Sequence, residues 1–305
     1  MPNVNLEFSP VAMIALNAII ALMMFGVSLE LRADDFRRIL RAPKAPAIGM
    51  LVQFLLLPAA TCGLTVLLPI DPHLALGMIL VATCPSGTFS NIMTWMARGN
   101  VAVSVSMTAV SSLAAGVLTP LNFALYAWLN PYTRPLLTDI ALDPLGLLLM
   151  VLLVLGLPLV LGMFIGRRFP LLTLKVEKPL RIFALLVMLA FVGLAFGRNW
   201  QQFLQHFHLF FWLVVAHNAM ALLIGYGSAR LSGLPVADRR AITLEVGIQN
   251  SALGLVIIFT FFPQASGMLL IAAFWGCWHL VSGLSLAWLW SRSAPDALPA
   301  GEATP

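Results

Sequence analysis

Apolar residues run through this chain in blocks of roughly 18–25, the length that crosses a hydrocarbon core of ~30 Å. Short polar stretches separate them. The blocks, with soft ends, are Ser9–Leu31, Ala45–Leu68, Leu74–Met96, Val101–Trp128, Pro144–Ile165, Ile182–Gly197, Leu209–Tyr226, Ala241–Phe262 and Gly267–Trp290. This pattern predicts an all-α integral membrane protein with nine transmembrane helices.

Two blocks interrupt their own pattern. The third reads LALGMILVATCPSGTFSNIMTWMA, with Pro85 and Gly87 in mid-span. Pro85 removes a backbone donor, and Gly87 favours irregular backbone. The eighth reads AITLEVGIQNSALGLVIIFTFF, with Gly247, Gln249, Asn250 and Ser251 near its middle. In lipid, unpaired backbone is tolerated only where it is buried in protein or lines a cavity. A single Pro usually means only a kink, but here polar side chains gather at each break. Thr88, Ser90 and Asn91 follow the first; Glu245, Gln249, Asn250 and Ser251 surround the second. Two interrupted segments in corresponding places of two halves point to a transporter binding site near the midplane. The layout predicts an inverted repeat, spans one to four against six to nine, with span five as an extra helix.

Composition agrees with the pattern. Of 305 residues, 60% are hydrophobic and only 10% charged, where a soluble domain carries about a quarter charged residues. The net charge of +5 reports topology and implies no nucleic-acid partner. Of the 17 Lys and Arg residues, all but Arg134 and Arg198 lie on one side of the predicted spans. That bias predicts an outside N-terminus and a cytoplasmic C-terminus, in a cell inner membrane or plasma membrane. Met1–Phe8 lacks a basic region, so no secretory signal is expected. Cys62, Cys84 and Cys277 lie within spans, form no C-x-x-C pair and read as small packing residues. Residues 291–305 are Ala/Pro-rich and polar, and a disordered cytoplasmic tail is expected there.

Glu245 then stands out, as the acidic residue clearly inside a span. A lone carboxylate at mid-membrane costs roughly 3 kcal/mol or more and needs a partner. No Lys or Arg lies well inside any span, so either Glu245 is protonated or it faces a mobile cation. Ser104 and Thr108, at i and i+4, put two hydroxyls on one face of span four. Ser90 and Asn91 sit just past the break in span three, and Gln53 is the amide of span two. Neutral oxygens around one carboxylate suit a hard monovalent cation such as Na⁺, whereas Mg²⁺ or Ca²⁺ wants more charge. Taken singly, Ser and Thr in membrane helices more often bond back to the backbone or bridge helices. Proton coupling is the competitor, with His279 in span nine and His217 in span seven as relays.

The stretch CPSGTFSNIMTWMARGNVAVSVSMT, Cys84 to Thr108, with LEVGIQNSALG and WHLVSG, closely resembles the bile acid:sodium symporter family. Weaker similarity runs along most of the chain, from MFGVSLEL and VQFLLLP onward. The resemblance implies a single transmembrane transporter domain, residues 1–290, built round two crossing discontinuous helices. A core (about 45–128 and 209–290) would move against a panel (about 9–31, 144–165 and 182–197). The chain looks like the nine-helix form, lacking the first helix of ten-helix bacterial members. By the same resemblance, one sodium site would use Ser90, Asn91, Ser104, Thr108 and Glu245. The second would use Gln53, Glu245 and Gln249, with the main-chain carbonyls of Val246 and Ile248. Na⁺ is then the coupling ion, two per cycle, and no other cofactor is implied.

Departures fall on the substrate side. Leu280 stands where the family often has Asn, and Ser86 where a Gly is common. Thr88, Asn250 and His279 remain as anion contacts. The expectation is a sodium-coupled symporter of an organic anion, bile-acid-like or a small carboxylate such as pantoate or a 2-oxo acid. Its rivals are a proton-coupled carrier using Glu245 and an anion sensor that does not transport. An intramembrane enzyme is disfavoured, since H-E-x-x-H and G-x-S-x-G are missing from the sequence and no paired acids lie inside a span. The oligomeric state is left open, a monomer included.

Overall fold

In a computed structural model of the chain, the described residues are 42–87, 89–139, 156–176, 200–262 and 265–293, with scattered positions between 18 and 29 and between 179 and 186. Most of predicted spans one, five and six, and so most of the expected panel, lies outside these residues. So do Thr88 and residues 294–305.

Every regular element among the described residues is helical. In chain order these are α1 (Lys44–Leu51), a π-helical turn (Val52–Leu56), α2 (Leu57–Leu67), α3 (Pro72–Thr83), α4 (Phe89–Met96), α5 (Val101–Leu129), α6 (Arg134–Asp139), α7 (Leu157–Arg168), α8 (Trp200–Leu231), α9 (Val236–Gly247), α10 (Ser251–Phe261) and α11 (Ser266–Ser291). Among the described residues, four stretches are long and apolar enough to cross a membrane: Lys44–Leu67, Val101–Leu129, Phe210–Leu231 and Ser266–Ser291. They coincide with predicted spans two, four, seven and nine. The third and eighth blocks are each two shorter helices joined by non-helical backbone, as Pro85, Gly87 and the Gly247–Asn250 run predict.

Local chemistry explains the boundaries. Asp71 caps α3 by accepting from His73 N at 2.9 Å, with Pro72 opening the helix. Asn100 caps α5 by accepting from Ala102 N and Val103 N, while its amide donates to Asp238 at 2.8 Å. The turn before it is tight, and Arg98 takes a left-handed φ of 53°. The π-helical turn also has a cause. Pro58 has no N–H for the carbonyl of Phe54, four residues back, and Asn122 donates to that oxygen at 2.7 Å instead. Tyr126 donates to the next carbonyl, Leu55 O, at 3.2 Å. Predicted span two is thus opened around Gln53 and tied to α5.

The centre of the fold is α3, buried from Leu74 through Thr83. It packs on α11 through backbone approach, because lipid supplies no hydrophobic drive and small residues permit contact. A Cβ added at Gly77 would stand 2.8 Å from Met268 Cα, so the two backbones touch there. Aromatic edges close α8 against α11, with Phe210–Phe274 and Phe211–Trp278 centroids 5.8 and 5.7 Å apart. At the far end of α9, buried Arg240 donates to Ala97 O at 2.7 Å and to Ser293 Oγ at 2.8 Å. That side chain ties the α4–α5 turn and the end of α11 to α9.

Candidate functional site

The two breaks lie against each other. Ser86 and Gln249 form an isolated antiparallel bridge. Gly87 N donates to Ile248 O at 2.9 Å, and Asn250 N donates to Pro85 O at 2.8 Å. Each break therefore satisfies backbone groups that the other leaves open, as the absence of water requires. Side chains complete the accounting. Thr83 O accepts from Thr119 Oγ1 at 2.8 Å, and Cys84 O from Gln53 Nε2 at 3.3 Å. Val246 O accepts from Gln249 Nε2 at 2.7 Å, and Gly247 O from Asn218 Nδ2 at 2.8 Å.

Glu245, the last acidic residue before the α9 break, is fully buried. Its Oε1 accepts from Ser90 Oγ and Ser104 Oγ, each at 2.5 Å, and from Thr108 Oγ1 at 3.1 Å. Its Oε2 accepts from Thr108 Oγ1 at 3.1 Å and from Ser86 Oγ. Asn91 Oδ1 joins the group as an alternative acceptor, 2.8 Å from Ser104 Oγ and 3.2 Å from Thr108 Oγ1. Thus α3–α4, α5 and α9 bring Ser90, Asn91, Ser104, Thr108 and Glu245 together. Every side-chain partner of the carboxylate is a hydroxyl; among the described residues none is Lys, Arg or His. Such hydroxyl and amide oxygens, one carboxylate among them, fit a hard monovalent cation by donor chemistry.

A second group lies at the same crossing. Gln53 Nε2 sits 3.3 Å from Gln249 Oε1, and both side chains are buried. Among the described residues, Gln53 Oε1 has no hydrogen-bond partner. A buried amide oxygen left open is an acceptor awaiting something. The main chain of Val246 and Ile248 is here too, although Val246 O and Ile248 O already accept from Gln249 Nε2 and Gly87 N.

The expected anion contacts are placed unevenly. Thr88 lies outside the described residues. Asn250 Oδ1 is engaged as the cap of α10, accepting from Leu253 N at 3.0 Å. His279 is buried on α11, and its Nδ1 has no partner among the described residues. Leu280 packs against the small cluster of Met93, Ala97, Leu244 and Ile248, so a polar residue at this place would meet apolar neighbours. Neither histidine offered as a relay hydrogen-bonds to Glu245. His217 Nε2 lies 2.8 Å from Thr61 Oγ1, and its ring packs on Trp275 at 4.7 Å.

Sequence reasoning missed two participants. Ser86 stands out as a departure on the substrate side, yet its hydroxyl points at Glu245. Asn218 carries no signal in the local pattern beyond being an amide in an apolar helix. It donates to Gly247 O at 2.8 Å and accepts from Ser282 Oγ at 2.5 Å, joining α8, the α9 break and α11. Replacing Asn218 by Ala leaves that buried carbonyl without its donor, whereas Ser282 Oγ keeps His279 O as an acceptor at 3.2 Å. The expected result is a loss of about 1–3 kcal/mol of stability. Thermal unfolding in detergent checks this; a wild-type melting temperature would show that Gly247 O finds another donor.

A profile described as the Sodium Bile acid symporter family matches residues 17–206. The chain belongs to this family. It is 34% identical to the uncharacterized sodium-dependent transporter YocS of Bacillus subtilis (strain 168), over 90% of this chain and 82% of the relative. It is 36% identical to the probable chloroplastic sodium/metabolite cotransporter BASS1 of Arabidopsis thaliana, over 92% of this chain and 67% of that protein. It is 30% identical to the ileal sodium/bile acid cotransporter of Oryctolagus cuniculus, over 86% and 74%. As a member of the family it is a multi-pass, sodium-dependent membrane transporter and not an enzyme.

Proposed function

We propose that this chain is a Na⁺-coupled symporter of an organic anion, working by alternating access, with Glu245 as the residue both coupling ions share. The observation that carries this reading is a fully buried carboxylate held by neutral oxygens at the contact of two broken helices. A first ion takes Ser90, Asn91, Ser104, Thr108 and Glu245. A second takes Gln53, Gln249 and Glu245, with the Val246 and Ile248 carbonyls; the unpartnered Gln53 Oε1 supports this assignment.

Two cations and one carboxylate leave a net positive charge at the crossing. The N-terminus of α10 adds to it, which favours an anion nearby. The anion binds beside the breaks, near Thr88, Asn250 and His279, in a crevice between a core (about 45–128 and 209–290) and a panel (about 9–31, 144–165 and 182–197). The two halves are inverted repeats in a nine-helix chain, N-terminus outside and C-terminus cytoplasmic. Na⁺ binding neutralises Glu245 and draws α4, α5 and α9 together, which biases the conformational equilibrium and couples uptake to the inward sodium gradient.

The substrate class follows from charge, and shape remains to be read by experiment. Bile-acid-like anions and small carboxylates such as pantoate or 2-oxo acids are the first to try. A thermal-shift screen of such anions, with and without Na⁺, should find ligands that raise the unfolding temperature only when Na⁺ is present, by mass action on the folded state. Ligands that stabilise equally without Na⁺ would sink the coupling.

A further inference from the structure

Four hydroxyls converge on Glu245, and each has a second acceptor within reach. Ser90 Oγ lies 2.7 Å from Gly87 O. Ser104 Oγ and Thr108 Oγ1 lie 2.8 and 3.2 Å from Asn91 Oδ1. Ser86 Oγ lies 3.3 Å from Ser111 Oγ. A hydroxyl carries one proton and two lone pairs. With protons aimed at the carboxylate, the hydroxyls hold its charge; with protons turned away, they present lone pairs to the same space. Ser111 suits the second arrangement. Its own proton goes to Thr108 O at 3.2 Å, so its oxygen is open to accept from Ser86.

Ser86 differs from the other three in where it stands. Ser90 and Ser104 hold Oε1 and Thr108 lies 3.1 Å from both oxygens, whereas Ser86 holds Oε2 alone. Its main chain pairs with Gln249, a member of the second oxygen group. Ser86 therefore sits where the two groups meet, fully enclosed with 1% of its surface exposed. A hydroxyl so buried has no role in solvent contact.

We propose that Ser86 is a further cation ligand of this chain, donating to Glu245 Oε2 between transport cycles and turning its proton to Ser111 when Na⁺ enters, so that its oxygen faces the ion. The inference rests on the sodium reading of Glu245. Ser111 is then a positioning residue, acting through Ser86. An added oxygen enlarges the shell and favours Na⁺ over the smaller Li⁺, because ligand number and cavity size set such selectivity.

The test is thermal unfolding of the purified full-length chain in detergent, titrated with NaCl or LiCl at constant ionic strength. Ser86→Ala should raise the half-saturating Na⁺ concentration about tenfold, the scale of one charge-assisted contact. The Li⁺ value should rise less, moving the Na⁺-to-Li⁺ ratio toward Li⁺, a change that general loosening would not produce. Ser86→Gly should behave alike and serves if Ala at this bend does not fold. Ser111→Ala should raise the Na⁺ value about threefold and leave the ratio unchanged, since the Ser86 oxygen remains. Wild-type Na⁺ values and ratios in both Ser86 variants, with the Na⁺ effect abolished in Glu245→Gln, would overturn the role of Ser86 and leave the sodium reading standing. If neither Ser86 variant folds, a wild-type Na⁺ value in Ser111→Ala overturns it. A wild-type protein that Na⁺ does not stabilise overturns both.

Discussion

Replacing Glu245 by Gln should abolish stabilisation by Na⁺ and lower sodium-driven uptake at least a hundredfold. Gln keeps the size of the side chain and removes its charge. At about 4 Å and an effective dielectric near 20, a unit charge pair contributes about 4 kcal/mol, close to a thousandfold in affinity. The neutral hydroxyls of Ser90, Ser104 and Thr108 cannot replace that attraction. In the absence of Na⁺ the variant should be as stable as the wild type or more so, because an uncompensated buried charge has been removed. That opposite response separates loss of the ion from loss of the fold. A Glu245→Gln protein retaining full Na⁺ dependence would show that the carboxylate is not the shared ligand.

The second large effect falls on Gln53. Its Oε1 is buried with no partner among the described residues, and its amide faces Gln249 and Cys84 O. Met has nearly the volume of Gln and offers no amide oxygen, so Gln53→Met removes the ligand with little repacking. The Glu245 group, built from α4, α5 and α9, is left whole. Na⁺ dependence should therefore persist but lose cooperativity, with a Hill coefficient falling from about two to about one. The half-saturating Na⁺ concentration should rise roughly tenfold or more, the range of a lost contact to a charge. A Hill coefficient unchanged by Gln53→Met would place the second ion elsewhere.

The pattern of the chain made the breaks legible because their causes are local. Pro85 cannot donate, Gly87 and Gly247 tolerate irregular backbone, and polar side chains cluster where no apolar helix needs them. The i, i+4 spacing of Ser104 and Thr108 likewise put both hydroxyls on one face, and both reach Glu245. What stayed hidden depends on partners far away in sequence. The Ser86–Glu245 contact joins residues 159 positions apart, and Asn218 reaches Gly247 across 29. The π-helical turn at Val52–Leu56 needs both Pro58, which is visible, and Asn122, whose approach is not. The packing of Leu280 was hidden for the same reason. Its apolar neighbours Met93 and Ile248 come from α4 and from the break after α9.

The central claim is that the partner of Glu245 is sodium supplied from solution. Uptake into proteoliposomes tests it most directly, using an anion that stabilises the protein only with Na⁺ and gradients of Na⁺ and pH imposed separately. Accumulation should follow an inward Na⁺ gradient at equal pH and vanish when Na⁺ is equal on both sides. Accumulation driven by a pH gradient with no Na⁺ present would contradict the account and make Glu245 a proton carrier.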